Sequence, residues 1–497
     1  MRGTYVPHSA CLFEKRQNYL LIRKAMKEES FKSKEDKISI RRFNREDLKQ
    51  RVLKSLSESM LKRKDCVILL STFLLMLGAI FSVYKLQPDF YQVHLERMNS
   101  SWGPMVLSIT LVLLAVKLCF LVYILYLYVK YKPVKSVSDE ELPTVTVIVP
   151  AYNEGELVWQ TLLSLADSDY PTEKLQIISI DDGSQDDTWD WMKKAKEQLG
   201  NRLSIYQQAK NKGKRHALYL GFELAKGDIF VTVDSDSIVR KDTLRNLVSP
   251  FVVNPKCGAV AGNVRVLNNK DAVIPRMLNV SFVFSFEFIR SAQSVLGSVL
   301  CTPGALSAYR KKAVMKCLPE WINQTFMGQP SDIGEDRAMT NMILKQGYHV
   351  LFQRNAYVLT NTPERYKSLY KMFIRWERSN VRENIMMSKF AFKNFREGSK
   401  VGTRILLLNQ WLKVIMAYPV LLLMLLFVAT HPILFVSSTL MSIFIFSSIQ
   451  VFFYIKKQKS ILESVWAYPY SVFYTFTLFW ITPYAIVTAH RRGWLTR

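Results

Sequence analysis

The sequence predicts an α/β domain with a Rossmann-like sheet, placed between two groups of transmembrane helices. Long uncharged segments occur on both sides of a polar segment, and the polar segment alternates β-branched strands with amphipathic helices. Strands that alternate with helices are typical of a mostly parallel sheet. At 497 residues the chain is long enough for one large domain and several membrane spans.

The uncharged segments predict the membrane spans. Four long segments contain at most one charged residue: 66–84, 104–129, 414–455 and 464–489. Because a helix needs about 20 apolar residues to cross a bilayer, the first two segments predict one span each. The third predicts two spans with a turn at His431-Pro432. Pro483 interrupts the fourth, which predicts a broken, re-entrant helix. Lys117 is expected to face protein or a water-filled path, since a lysine in contact with lipid is costly.

The distribution of charge predicts the orientation and the partners. The chain has a net charge of +26, and residues 1–65 contain 18 Lys and Arg against 9 Asp and Glu. Basic segments stay on the cytoplasmic side, so the N-terminus and residues 130–412 are expected there. We expect residues 1–65 to include a basic helix along the membrane surface. The anionic inner leaflet explains much of the charge, which predicts membrane lipids, and no nucleic acid, as partners.

Polar residues follow three predicted strands, 144–149, 176–180 and 228–233. The residues at these strand ends are Asn153, Asp181, Asp182, Asp234 and Asp236. Ligands bind at the carboxyl ends of such strands, and a Mg²⁺ or Mn²⁺ ion would remove the repulsion between the carboxylates and hold a diphosphate. Alternatively, Asp181-Asp182-Gly183-Ser184 could form an ordinary strand-to-helix turn with Asp as the N-cap, and Asp234-Ser235-Asp236 alone is a weak match. The chain contains no GxGxxG or Walker loop, which argues against dinucleotide enzymes and P-loop NTPases.

A second acidic group lies in the segment 331–337, which contains Asp332, Glu335 and Asp336 followed by Arg337. Carboxylates grouped in a basic protein are stabilised in their ionised form, which favours a specific function. The alternative is that Asp332 or Glu335 only caps the helix that continues from residue 338.

These motifs, in this order and spacing, resemble an inverting family 2 glycosyltransferase with a GT-A fold. They are Val149-Pro150-Ala151-Tyr152-Asn153-Glu154, Asp181-Asp182-Gly183-Ser184 and Asp234-Ser235-Asp236. Other segments resemble the branch of hyaluronan synthases and NodC-type chitin synthases. They are Arg290-Ser291-Ala292-Gln293-Ser294, residues 301–310, Gly334-Glu335-Asp336-Arg337, Arg375-Trp376 and residues 493–497.

The resemblance implies a role for each matching position. Residues implied to bind the nucleotide-sugar are Tyr152, Glu154, Asp181, Asp182, Lys214, Arg215 and Asp234. Asp234 and Asp236 are implied to hold the metal and diphosphate. Asp336 would be the general base, with Glu335 as a supporting neighbour, and Arg375 would stabilise the leaving group. Trp376 would form the floor under the acceptor, which Gln293 and Arg337 would also contact.

The sequence departs from the family pattern at three positions. Met372 stands where a Gln is usual before Arg-Trp, and Ile289 stands where the hyaluronan branch has a Glu. Glu335 replaces the commoner Asp and keeps its charge. The change at Met372 removes a polar contact from the acceptor or diphosphate region, which bears on which sugar is transferred more than on whether transfer occurs.

Two shorter apolar stretches, 281–288 and 406–411, lie outside the long uncharged segments. Residues 281–288 predict either core or an interfacial helix, and the resemblance favours the helix, at the mouth of a channel. Residues 406–411 predict a similar helix before the first C-terminal span.

The complete prediction divides the chain into four regions. They are a basic region at 1–65, two transmembrane helices in 66–129, a cytoplasmic GT-A domain in 140–400, and C-terminal transmembrane or interfacial helices in 403–497. The expected function is a processive synthase in the plasma (inner) membrane. It adds sugar from a UDP-sugar, GlcNAc alone or with GlcA, to a growing polysaccharide acceptor and passes the chain across the membrane. The alternatives are a non-processive transferase acting on a lipid-linked acceptor, a cellulose-like glucan synthase, and a transporter whose domain has lost activity.

Overall fold

The computed structural model describes residues 63–491. Residues 1–62, which contain most of the predicted basic helix, and the motif residues 493–497 lie outside this range. The described chain begins with three helices: α1 Arg63–Lys85, α2 Gln87–Asn99 and α3 Gly103–Lys130. Helices α1 and α3 contain the first two predicted spans.

A mixed eight-stranded sheet forms the centre of the domain. Its strands are β1 Val145–Ala151, β2 Leu175–Asp181, β3 Leu203–Gln207, β4 Ile229–Thr232, β5 Ser237–Val239, β6 Cys257–Val266, β7 Ser307–Arg310 and β10 His349–Thr360. The order across the sheet is β3-β2-β1-β4-β7-β6-β10-β5. A two-stranded hairpin, β8 Thr325–Phe326 with β9 Gln329–Pro330, lies apart from it.

The sheet is mixed, with four parallel and three antiparallel pairs of neighbouring strands. Strands β3, β2, β1 and β4 are parallel, as expected. Strand β7 is antiparallel to both of its neighbours, and β5 is antiparallel to β10. The parallel half therefore brings the carboxyl ends of β1, β2 and β4 to one edge, where the motif residues lie.

Helices cover both faces of the sheet. They are α4 Glu156–Ala166, α5 Thr188–Leu199, α6 Lys214–Leu224, α7 Thr243–Val253, α8 Val273–Phe282, α9 Arg290–Val295, α10 Lys311–Ile322, α11 Glu335–Lys345 and α12 Tyr366–Ala391. Strand β1 is buried on both faces: Val147 belongs to one core cluster and Ile148 to the other. A strand that is covered on both faces has a nearly continuous apolar sequence, and this pattern predicted β1.

The C-terminal helices follow most of the predicted breaks. They are α13 Val401–Thr430, α14 Pro432–Gln458, α15 Ile461–Ser464, α16 Ala467–Thr477 and α17 Ile481–Val487. The turn between α13 and α14 falls at His431-Pro432, as predicted. The expectation of a separate helix over 406–411 is wrong, because those residues belong to the continuous helix α13. Without a helix breaker there, the backbone hydrogen bonds continue from the domain into the span.

Four described helices are long and apolar enough to cross a membrane: α1, α3, α13 and α14. Residues 461–477 and 481–487 would add a fifth span if counted together, and the two parts meet at an angle of 47°. The break lies at residues 478–480 and not at Pro483 as predicted, because Pro483 is in the first turn of α17, where a helix tolerates proline. Re-entry of this segment into the membrane stays a prediction. Lys117 donates to Asn409 Oδ1 on α13 at 3.0 Å, which agrees with the expectation that it faces protein.

The stretch 281–288 is the other case that the sequence left open. Helix α8 ends at Phe282, and a π-helix runs from Val283 to Ile289 before α9 begins. Glu287, the charged residue of this stretch, is 2% exposed and forms an ion pair with Arg265 of β6. The segment is therefore a buried helical connection that reaches from the sheet to the membrane helices.

Candidate active site at the carboxyl edge of the sheet

The loop after β1 is held in an unusual backbone conformation. Asn153 has a φ of +52°, a value that few residues other than glycine adopt. Its Oδ1 accepts a hydrogen bond from the Gln185 backbone N–H at 2.9 Å, and Thr188 Oγ1 accepts one from Glu154 N–H at 2.8 Å. These bonds join the β1 and β2 loops, and Tyr152 and Glu154 lie half-buried between them.

Asp181 and Asp182 are buried, and their carboxylates bind neighbouring chain segments. Asp181 accepts from Ser184 N–H at 3.1 Å and from Gln207 Nε2 at 2.9 Å. Asp182 accepts from the N–H groups of Lys212 and Gly213 at 2.9 and 2.8 Å. Burial raises the pKa of Asp182, and the two N–H donors partly oppose that rise. The pair therefore fixes the loop that leads to Lys214, and its role in nucleotide binding stays a prediction.

A carboxylate cluster, defined here as Asp234, Glu335 and Asp336 around the ammonium of Lys214, lies next to this loop. Lys214 forms an ion pair with Asp234 Oδ1, and its Nζ is 3.5 Å from Glu335 Oε1. Burial alone lowers the pKa of Lys214, but the charges of Asp234 and Glu335 raise it above its usual value. Lys214 is therefore a permanent cation, and it holds Asp234, at the end of β4, close to Glu335, at the start of α11.

Asp336 is held by three donors from two segments. Its Oδ2 accepts from Gly304 N–H at 3.2 Å and lies 3.7 Å from Cys301 Sγ, while Oδ1 accepts from Arg337 N–H at 2.7 Å. Burial, followed by the charge of Glu335, raises the pKa of Asp336 to about 6, although Lys214 lowers it in part. A carboxylate with a pKa near 6 can accept a proton at neutral pH.

Two glycines make this arrangement possible. Gly334, the residue before α11, has a φ of +74°, and a side chain there would meet Ser379 of α12. At Gly304, a Cβ atom would lie 2.6 Å from Lys214 Nζ and 3.4 Å from Asp234 Oδ1. Gly304 therefore allows the backbone to approach both the lysine and Asp336. We did not assign it a role from sequence, although it lies in a motif that carried the resemblance.

Helix α12 brings the Arg375-Trp376 pair to this side of the domain. Arg375 is close enough for its charge to lower the pKa of Asp336. Trp376 is 40% exposed, and its ring lies 5.6 Å from Phe373 and 6.3 Å from Phe282, centroid to centroid. Met372 lies in the core on the same helix, so the usual Gln at this position has been replaced by a packing residue.

Three predicted site residues have their described contacts inside the protein. Arg215 is 2% exposed and donates to the Trp321 carbonyl at 2.6 Å. Arg337 is 7% exposed and binds two asparagines of α12, including Asn384 at 2.9 Å. Gln293 Oε1 accepts from Leu300 N–H at 3.4 Å. These contacts stabilise the walls of the site, and direct binding of substrate by the three residues stays a prediction.

The proposed metal ligands lie on either side of the turn after β4. Asp234 belongs to the carboxylate cluster, and Asp236 Oδ1 accepts from Thr360 Oγ1 at 3.2 Å. Between residues 63 and 491 there is no group of three or more His, Cys, Asp or Glu side chains placed to hold a metal. Two carboxylates nevertheless fit Mg²⁺ or Mn²⁺, because Mg²⁺ is commonly bound by one or two carboxylates together with substrate phosphates and water.

A second polar site lies among the helices. A cavity of about 600 Å³, called the membrane cavity below, is formed by α14, α16 and the end of α8. Its lining residues are Ser281, Ser438, Thr439, Ser442, Ile443, Phe446, Ser447, Gln450, Tyr470, Ser471, Tyr474 and Thr475. Most of them carry hydroxyl groups, although α14 has the length and hydropathy of a membrane span.

Comparisons with known proteins agree with this geometry. The profile of the family described as "Glycosyl transferase family 2" matches residues 146–318. The chain is 33% identical to an N-acetylglucosaminyltransferase of Rhizobium meliloti over 51% of its own length and 59% of that protein. It is 32% identical to a hyaluronan synthase of Streptococcus pyogenes over 55% of its own length and 66% of that protein. The matched region thus spans less than two thirds of either relative.

A solved mannosyltransferase from Pyrobaculum calidifontis, in complex with GDP-Man and Mn²⁺, aligns with 73% of this chain and 97% of its own. The identity is 20% and the TM-score is 0.48. Residues 146–318 form a family 2 glycosyltransferase domain with a GT-A-type fold. The two relatives belong to the predicted branch of hyaluronan synthases and rhizobial N-acetylglucosaminyltransferases, which confirms the predicted resemblance.

Proposed function

We propose that this chain transfers a sugar from a UDP-sugar, with inversion, to the end of a growing β-linked polysaccharide. The observation that carries the proposal is Asp336, a half-buried carboxylate with a pKa raised to about 6. Inversion in one step needs a base that removes the proton of the acceptor hydroxyl as the bond to the donor forms. The hydrogen bonds from Gly304 and Arg337 hold Asp336 in one orientation for this task.

Lys214 and the strand-end acids would handle the leaving diphosphate. When bound by Asp234 and Asp236, a divalent cation would stabilise the negative charge that develops on the diphosphate. Lys214 is already next to Asp234 and is permanently charged, so it can exchange its carboxylate partners for phosphate oxygens. Arg375 adds a second positive charge on the side of Asp336.

Trp376 would form the floor of the acceptor site. Its ring is partly exposed beside Phe282 and Phe373. An exposed aromatic face can stack on the apolar face of a sugar. Because α12 carries both Arg375 and Trp376, one helix would fix the distance between the leaving group and the acceptor.

This protein would both extend the polysaccharide and transfer it across the membrane. Phe373 lies between Trp376 and the membrane cavity. Its ring contacts Trp376, and its ring centroid lies 5.8 Å from that of Tyr474, which lines the cavity. A polar polymer cannot cross hydrocarbon unaided, so a hydroxyl-lined cavity next to the acceptor site supports a processive synthase. We infer that the domain is cytoplasmic, since residues 1–65 and Lys456-Lys457 are basic. We propose the plasma membrane as its location, since a polymer that crosses it leaves the cell.

The decisive experiment uses purified protein in proteoliposomes with Mg²⁺ or Mn²⁺ and labelled UDP-sugars. We expect UDP release together with products of many sugars from the first turnovers onward. Products that carry a single added sugar would overturn processivity and favour a non-processive transferase. An absence of UDP release with every donor would leave only a non-enzymatic function.

A further inference from the structure

The lining of the membrane cavity contains no charged side chain among the residues that the structure describes. Its polar groups are hydroxyls and the amide of Gln450. Hydroxyl groups donate and accept hydrogen bonds and can satisfy the hydroxyls and amides of a sugar. They cannot neutralise a carboxylate that has left water.

Two charged residues near this cavity, Glu377 and Lys413, form an ion pair. Glu377 directly follows Trp376, and its Oε1 lies 2.6 Å from Lys413 Nζ. Both residues lie within electrostatic range of tyrosines that line the cavity. Glu377 interacts with Tyr474, and Lys413 interacts with Tyr470. The positive charge of Lys413 is therefore paired with a carboxylate of the protein.

Lys117 is a second cation, within electrostatic range of Lys413. Its ammonium donates to Asn409 on α13 at 3.0 Å, and it is not part of the cavity lining. Neither lysine lines the cavity, so a carboxylate enclosed by the lining residues would contact hydroxyls and one amide but no cation. That situation is unfavourable within the thickness of a membrane.

The size of the cavity fits a short piece of polymer. A volume of about 600 Å³ falls within the range of pockets that enclose drug-sized ligands, and a di- or trisaccharide is of that size. In a polymer with a uronic acid in every second position, such a segment always contains a carboxylate. In a polymer of N-acetylhexosamine or hexose it contains none.

We propose that the polymer this chain makes and passes through the membrane cavity is uncharged, and that one uncharged UDP-sugar is its only donor. This inference rests on the proposed function. It chooses between the two kinds of product that the sequence left open. The membrane cavity selects an uncharged product, because an uncompensated carboxylate is costly there. The reaction centre does not, because it contains several positive charges.

The test supplies the wild-type protein in proteoliposomes with UDP-GlcNAc, UDP-Glc and UDP-GlcA, singly and in pairs. We expect polymer from one uncharged donor, without stimulation by UDP-GlcA and without uronic acid in the digested product. Polymer that requires UDP-GlcA would overturn this inference and leave the proposed function intact. An absence of polymer with every combination would instead overturn the proposed function.

A pair of variants tests whether the cavity is the path. Ser442→Phe fills the cavity, whereas Val436→Phe on the same helix replaces an exposed residue that does not line it. We expect Ser442→Phe to shorten the product about tenfold, because a packed channel excludes the chain, and Val436→Phe to leave its length unchanged. Equal product lengths would show that the polymer takes another route, and the argument from the cavity lining would fall.

Discussion

The carboxylate cluster and the membrane cavity are both polar, but they use different kinds of polar groups. The cluster concentrates charge: three carboxylates surround the ammonium of Lys214, and Arg375 lies nearby. The cavity has hydroxyls and one amide. A reaction centre must move a proton and hold a diphosphate, which requires a few strong interactions. A path for a polymer requires many weak interactions of similar strength, because a tightly bound segment would not move on.

The comparison predicts that changes in the cluster act on chemistry. Asp336→Asn keeps the shape of the side chain and its acceptor for Gly304 N–H, but it removes the base. We expect UDP release to fall by about 10³-fold, within the range that general bases contribute, while binding of UDP is retained. Glu335→Gln is the matched variant and should cost less. A variant Asp336→Asn with wild-type turnover would remove the base from the mechanism.

The pKa of Asp336 predicts an acid limb in the pH profile. The base must be ionised, so we expect kcat/KM to fall about tenfold for each pH unit below about 6. This loss is not unfolding. Because the folded state holds the proton more tightly than an unfolded aspartate with a pKa of about 4 does, acidification from 6 to 4 stabilises the fold through this group. Parallel measurements of turnover and thermal unfolding separate the two effects, and a coincident loss of both would contradict the assignment.

Gly304→Ala tests the close approach of backbone to Lys214. The added methyl group would lie 2.6 Å from Lys214 Nζ, and the flexible ammonium would have to move away from Asp234. We expect KM for the donor to rise about tenfold with a smaller change in kcat, as for a loss of binding in the ground state. The control is Gly78→Ala, where the methyl group meets nothing within 4 Å. Unchanged donor affinity in Gly304→Ala would show that the position of Lys214 is unimportant.

The smallest effect is expected in the cavity. Ser471→Ala removes one of several hydroxyls that line it, so we expect UDP release to change by less than about twofold and product length to fall slightly. Quantifying UDP and product size in the same reaction checks both. A large loss of UDP release would mean that the cavity and the reaction centre act as one unit, and the distinction between them would be wrong.

Particular residues show where sequence reasoning succeeded and where it failed. The ends of β1, β2 and β4 were predicted because each buried parallel strand is a short apolar segment that is followed directly by polar residues. Strand β3 was missed, since Leu203–Gln207 is short and lies at an edge of the sheet, half-exposed. The separate helix over 406–411 was wrong because an amphipathic pattern does not indicate where a continuous helix enters the membrane.

By itself, the sequence determined the spans, the acidic strand ends and the family, because each depends on residues that are neighbours in the chain. The tertiary structure decided that Gly304 supports Asp336, that Arg337 binds Asn384, and that Arg215 packs behind the site. It also assembled the membrane cavity from α8, α14 and α16. These contacts join residues far apart in sequence, and their geometry depends on how helices and strands pack, which no local pattern specifies.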